Sequence, residues 1–507
     1  MIPRYRAAQF WGRATDALST PVPALSLAVF RIALGALLVW DCWRFIRYDR
    51  IWRYWIAPDF HFTYPGFGWV TPLPEPYIQL AWLGMGLAAL LVMLGLFYRV
   101  AIVALTLSFG YFFLLDKAEY LNHFYLVLLF LVLLCVLPAH RTLSLDARLR
   151  PRVRRDHVPY AAVFILRAQM EIMLVFAGLV KLTPDWLAGE PLGLWLRNQA
   201  DDVALGALFR YDWVILAGTW GTVALHVLGA PLLLWHRTRL ATFAVYCVFH
   251  GANAMFFNIG IFPWLTIAAT TIFFAPDWPR RAARWLLGRF EALPPYAPPA
   301  FPAPRTLPRA ALVAMAGWIA VQVALPLRAA YFPTEVRWSG DGHRFSWRMR
   351  IYDRQAEGSF VVAADGQHWT VAPTEYLTAR QADKMMVRAD MVHQFAGYLE
   401  DVWEDAGYRD VAVRAEIRKS LNGRAAQHFV DPAVDLTAVP LAYLSPDDWV
   451  MPLAVPVWGV ADTRASGFLD DDGELLVLPP RPDLTGRGAS TGPRQPAALP
   501  GASTDTM

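Results

Sequence analysis

Long apolar stretches alternate with short polar ones until about residue 330, where the rhythm changes. The apolar runs fall at roughly 24–43, 78–97, 100–115, 123–138, 159–181, 213–235, 240–257, 260–276 and 310–329. A helix of about 20 apolar residues spans a bilayer core, so about nine membrane spans are expected, 100–115 and 260–276 being the shortest. Beyond Arg328 the periods shorten. Arg344-Phe-Ser-Trp-Arg-Met-Arg-Ile351 alternates with period two and predicts a half-buried strand. Ser359–Ala364 and Gln367–Ala372 predict a hairpin around Asp365-Gly366. Residues 379–405 carry helical periodicity, and Val411–Ser420 is another alternating strand. The fold class read from this pattern is mainly α. A polytopic membrane helix bundle occupies 1–330 and a small extracytoplasmic α+β domain occupies 331–478. The Pro/Ala-rich stretch 292–308 is a stiff linker before the last span, and 479–507 has the composition of a disordered tail.

Composition agrees with a membrane protein. Of 507 residues 56% are hydrophobic and 17% charged, against about 25% charged in soluble proteins. Twenty-two Trp, 19 Tyr and 30 Phe supply aromatic belts for both interfaces. A net charge of +4 carries no nucleic-acid footprint. Cys42, Cys135 and Cys247 all lie in or at the end of apolar runs, so no disulfide can staple the polar second part. There is no internal repeat, no glycine-rich phosphate loop and no Cys/His cluster with metal-ligand spacing, so no metal is expected. The first run lacks a small-residue cleavage site and is long enough to remain an anchor. Paired Gly/Pro-broken spans, which would point to a transporter, are absent.

Arginine placement sets the orientation. Arg141, Arg148, Arg150, Arg152, Arg154 and Arg155 follow the fourth run, Arg237 and Arg239 join the sixth and seventh, and Arg280, Arg281, Arg284, Arg289 and Arg305 precede the last. All fall on the side of Arg4, Arg6 and Arg13 if the N-terminus is cytoplasmic, which puts the C-terminal domain outside. The composition looks bacterial, so a cell inner membrane with a periplasmic domain is expected. Arg44, Arg47, Arg50 and Arg53 break the rule. Their neighbours Trp52, Tyr54, Trp55, Phe60 and Phe62 predict a re-entrant segment buried in protein.

The same topology brings three polar-studded stretches to the outer side: Asp116–His123, Lys181 with Asp185-Trp186, and His250–Asn253 through Asn258 to Pro263. Lysine is scarce here. Lys117, Lys181, Lys384 and Lys419 are the only four among 46 Lys+Arg, and only lysine can lose its proton near neutral pH. Thr183-Pro184 stops the fifth helix, leaving Lys181 at its end. Lys181 fits either an interfacial anchor or a desolvated general base. His123 opens a helix, either as a cap or as a functional imidazole. His250 and Asn253 are one turn apart and share a face; Asn258 belongs to a turn. Arg167 and Glu171, one turn apart inside the fifth run, are expected to pair structurally, and His226 is read as a packed polar contact.

These residues resemble a family. Asp116-Lys-x-x-Tyr-Leu-Asn-His123-x-Tyr125, Phe176-Ala-Gly-x-x-Lys181-Leu-x-x-Asp185-Trp186-x-x-Gly189 and Phe249-His-x-x-Asn253…Phe257-Asn-Ile-Gly-x-Phe-Pro263 look like the vitamin K-dependent γ-glutamyl carboxylases and the related horizontally transferred transmembrane (HTTM) domain. Val336-Arg-Trp338, Gly342-x-Arg-Phe-Ser-Trp-Arg-Met349, Ser420-Leu-Asn-Gly-Arg424 and Val430-Asp-Pro-x-Val-Asp-Leu436 look like the family's lumenal domain. The resemblance implies an enzyme using vitamin K hydroquinone (or menaquinol), O₂ and CO₂, without a metal. Its partner would be a glutamate-containing peptide or protein on the outer side. Lys181 matches the lysine that deprotonates the hydroquinone; oxygenation then yields a base that removes a glutamate γ-hydrogen, and the carbanion captures CO₂. The products are γ-carboxyglutamate and the quinone epoxide. His123 matches a functional histidine. Asn122, Lys117, Asp185, Trp186, His250, Asn253 and Asn258 are expected around the substrate and cofactor pocket. Animal members join their two parts by a disulfide, which this chain lacks. The alternative reading is a quinone- or lipid-binding membrane protein of the same fold, without carboxylation, that docks a partner through its outer domain.

Overall fold

A computed structural model describes residues 4–286 and 306–454 except 204, 258, 333–334 and 443–446, plus two-residue strands at 468–469 and 475–476. Nearly all of the expected linker and the whole expected tail lie outside the described residues.

Every apolar run is helical. The helices are α1 Leu25–Arg47, α2 Tyr77–Leu94, α3 Tyr98–Leu114, α4 Asn122–Val136, α5 Tyr160–Leu179, α6 Asp212–Val227, α7 Arg239–Phe256, α8 Phe262–Thr270 and α9 Arg309–Leu327. Among the described residues four helices are long and apolar enough to cross a membrane: α1, α2, α5 and α9 with its extension to Tyr331. The other runs form shorter or more polar helices, so length and composition identify four of the nine expected spans among the described residues. The bundle shares one apolar core that includes Leu34, Trp82, Phe130, Leu166 and Phe273.

Buried charges in the bundle serve its helix ends. Arg31, fully buried in α1, donates through Nη1 to the carbonyls of Val92 and Met93 at 2.8 and 3.0 Å, satisfying the end of α2. A Cβ on Gly95 would lie 2.2 Å from that Nη1, so only glycine, here at φ +65°, allows the contact. Asp146 accepts from the Phe97 and Tyr98 amides at 3.1 and 2.9 Å and caps α3. Arg167 does not pair with Glu171 as expected. Its Nε and Nη2 donate to the carbonyls of Ile272 and Phe274, both at 2.8 Å, just beyond α8, and Nη1 donates to the Tyr160 hydroxyl. Orphan carbonyls at a helix end out-compete a carboxylate one turn away, and Glu171 Oε2 is buried with no hydrogen-bond partner among the described residues.

The outer domain is a four-stranded antiparallel sheet of β1 Arg354–Ala364, β2 Gln367–Val371, β3 Ala412–Leu421 and β4 Gln427–His428, in the order β2-β1-β3-β4. The predicted hairpin forms with Ala364 opposite Gln367, Asp365 and Gly366 both at positive φ. The expected helix splits into α10 Ala379–Met385 and α11 Ala389–Asp405, the latter burying Val392, Phe395, Leu399 and Trp403 on the sheet.

The predicted strand over Arg344–Ile351 is absent. Phe345, Trp347 and Arg350 have φ of 61°, 57° and 48°, outside the extended region. The alternation is real, but it belongs to a looping segment that sends Trp347 into the bundle core. In return Phe62, from the aromatic stretch after α1, joins the outer domain's core. The segment is buried only in part: Trp55, stacked on Phe45, and Phe62 are buried, Tyr54 and Phe60 are half-buried, and Trp52 is 50% exposed.

Candidate active site

Lys181 lies two residues beyond α5, in the turn leading to a short helix, Pro184–Leu187, capped by Thr183 Oγ1 accepting from the Trp186 amide. Only 5% of Lys181 is exposed. Its Nζ donates to the Ala177 carbonyl at 2.7 Å and the Met349 carbonyl at 3.4 Å, and sits 5.4 Å from the centre of the Trp186 ring. No carboxylate pairs with it among the described residues. Burial, with no compensating charge, pushes its ammonium down to about 7.

The lysine borders a cavity of about 1170 Å³ between the bundle and the outer domain. Asn122, His123, Trp186 and Asn253 line the same cavity, so five of the expected site residues meet there. Phe45, Trp55, Trp82 and Phe112 line it from α1 through α3, and Arg348, Met349, Arg350, Arg354, Lys384 and Arg388 line it from the outer domain. The Arg and Lys residues outnumber the lining carboxylates Asp41, Glu119, Asp353 and Asp383, so the field favours anions. Burial, with Arg388 and Arg380 nearby, pushes Lys384 down to about 8.

The Tyr-x-Asn-His motif acts through the 344–350 loop. Tyr120 Oη accepts from the Phe345 amide at 2.7 Å and donates to Asn122 Oδ1 at 3.0 Å, and Asn122 Nδ2 donates to the Arg348 carbonyl at 3.2 Å. The next carbonyl, that of Met349, is the one that holds Lys181. Asn122 thereby holds the carbonyl adjacent to the one that accepts from the lysine.

Other expected pocket residues have different work. Lys117 is not among the cavity-lining residues; its Nζ is 2.9 Å from Asp390 Oδ2, which also takes Arg344 Nη1 at 2.6 Å. Asp185 is likewise spent on docking the outer domain. Its two oxygens accept from Arg424 at 2.7 and 2.9 Å and from Asn422 Nδ2 at 2.7 Å, with Arg337 Nη1 at 3.6 Å. His250 is 1% exposed and sits behind Phe249 and Phe262, both ring nitrogens lacking a partner among the described residues. Asn258 lies outside the described residues.

Sequence reasoning missed His226 and Arg44 as cavity residues. His226 Nδ1 bonds the Thr222 carbonyl at 2.8 Å and the ring faces the cavity. Gly178 permits this placement, because a Cβ there would lie 2.8 Å from both His226 Cβ and Val227 Cγ2. Gly178→Ala is expected to cost about 1–3 kcal/mol through overpacking and to displace His226. Thermal unfolding in nanodiscs checks this; an unchanged midpoint would mean that α5 and α6 adjust freely.

Two family models match the chain: the HTTM domain over residues 19–278, and the vitamin K-dependent gamma-carboxylase lumenal domain over 308–455. No solved structure matches it. The matches meet where the cavity lies, one supplying the helices around Lys181 and the other the 344–350 loop above it. The first covers more than half of the chain, and the chain belongs to the vitamin K-dependent gamma-carboxylase family of HTTM-domain membrane proteins.

Proposed function

We propose that this protein is an integral membrane γ-glutamyl carboxylase, coupling oxygenation of a reduced vitamin K-type quinone to carboxylation of glutamate in a peptide or protein. The observation that carries the reading is Lys181, a buried amine with no counter-charge among the described residues, on the wall of a large aromatic cavity. The cavity's aromatic wall and volume suit a flat bicyclic ring with an apolar tail. The quinol supplies, after deprotonation and reaction with O₂, the strong base that glutamate requires.

Lys181 is the general base toward a quinol hydroxyl: the O–H bond breaks and an N–H bond forms. A neutral amine has two hydrogens. The Ala177 and Met349 carbonyls accept both, which leaves the lone pair free for the incoming proton. His123 and His226 line the cavity around the ring, and the Trp186 ring centre lies 5.4 Å from the amine. The outer arginines and Lys384 draw in the acidic peptide. Water exclusion by the aromatic wall protects the glutamyl carbanion from reprotonation until CO₂ adds. In this reading nine helices cross a cell inner membrane, the N-terminus is cytoplasmic, and substrate arrives from the periplasm.

The test is mass spectrometry of glutamate-rich peptides after incubation with the protein, reduced naphthoquinone, O₂ and bicarbonate. γ-Carboxyglutamate and quinone epoxide are expected together. Quinol binding without either product, while a control carboxylase makes both, overturns the proposal in favour of a binding protein.

A pH profile follows from the lysine. The free amine is the active form, so kcat/KM for epoxidation should rise with pH through a midpoint near 7. A midpoint near the 10.5 of ordinary lysine would mean that burial does not depress the amine in the working enzyme.

A further inference from the structure

We infer that Arg44, held by Asp41 and flanked by His123, forms a second polar pole of the cavity that binds and stabilises an aryl oxide anion. The inference rests on this cavity being the quinol site and adds a group to it. Arg44 is one of the arginines that break the charge rule for loops. Here its side chain, 12% exposed, turns into the cavity. Asp41 Oδ1 accepts from its Nη1 at 3.2 Å, and among the described residues it is the only ion-pair partner of Arg44. Its other N–H donors make no hydrogen bond among the described residues and face the cavity, where a ligand can meet them.

Gly260 marks where that ligand sits. It lines the cavity, and a Cβ placed on it would be 3.4 Å from Arg44 Nη1 and 3.9 Å from His123 Nε2. The absent side chain leaves space beside a guanidinium and an imidazole at once. The enclosure is aromatic: the His123 ring centre is 4.6 Å from that of Phe124 and 6.1 Å from that of Phe262, and Arg44 lies over Trp40. In the proposed function a peptide carboxylate meets the arginines of the outer wall instead. An oxygen anion carried on a flat apolar ring fits this pole. The other charged groups lining the bundle side of the cavity are Asp41, Arg50, Arg53 and Glu119, with Lys181 from the turn after α5 and His226 from α6.

The experiment uses 1-naphthol, which has one ionisable hydroxyl, titrated by absorbance on the full-length protein in nanodiscs without O₂ or CO₂. Wild-type protein is expected to lower the probe's ionisation midpoint by about 1 unit or more. Arg44→Gln should return most of that shift, and Arg44→Lys should keep most of it. Equal midpoints for wild type and Arg44→Gln, or no probe binding by wild type, overturn the assignment. A shift that depends on Arg44 in a protein that fails the carboxylation assay sustains this pole and removes only the proposed activity.

Discussion

Lys181→Met is expected to yield a folded protein that makes neither γ-carboxyglutamate nor quinone epoxide, with kcat/KM down by about 10²–10⁴-fold, the usual worth of a general base. Methionine keeps the apolar stem of lysine, with sulfur in place of one methylene, and removes the amine. Stability should move the other way. The amine is buried beside two carbonyls and no carboxylate among the described residues, so its protonated form costs free energy in the fold. The variant should therefore unfold at the same temperature as wild type or higher. Loss of activity accompanied by a lower midpoint would mark Lys181 as a structural anchor. Retained epoxidation would remove it from the chemistry.

Asp185→Ala should produce the largest loss of stability, about 3–5 kcal/mol, because it strands buried cations. Asp185 is 6% exposed, and Arg337 is 1% exposed. Arg337 keeps Glu335, whose Oε1 accepts from its Nε at 2.8 Å, but Arg424 loses its only ion-pair partner among the described residues. The double variant Asp185→Leu with Arg424→Met removes both charges and should recover a large part of the loss, since an apolar pair of similar volume is often as stable as a buried ion pair. Thermal unfolding and protease release of the outer domain measure both. A single variant within about 0.5 kcal/mol of wild type would mean the clamp bears no weight. Asp185 precedes Trp186, which covers Lys181. A loosened clamp should therefore lower activity even in molecules that remain folded.

That clamp and its companions do the joining that the chain's cysteines, all in the bundle, cannot do. Asp390 gathers Lys117 and Arg344, and Arg380 makes two 2.7 Å bonds to Glu119. With Phe62 in the outer core and Trp347 in the bundle core, the two parts interlock through apolar side chains as well.

The apolar runs, the hairpin at Asp365-Gly366, and Lys181 at a helix end stopped by Pro184 were all legible in the sequence. Each is a local matter, decided by hydrophobic period, by turn chemistry or by proline's missing amide. Partner choice was not legible. Arg167 is one turn from Glu171 in sequence, yet it bonds carbonyls more than 100 residues away. Lys117 and Asp185 lie in the motifs that carry the family resemblance, yet they dock the outer domain rather than line the cavity. The alternation of 344–351 looked like a strand because period two records which side chains are apolar, not the sign of φ. By itself the sequence determined which segments enter the membrane-like core and which amine is offered at a helix end. Only the tertiary structure decided that Met349 holds that amine, that Asn122 fixes the neighbouring carbonyl of Arg348, and that Arg44 turns inward beside His123. Those contacts join residues up to 226 positions apart, and a local pattern carries no record of what the folded chain brings across such a distance.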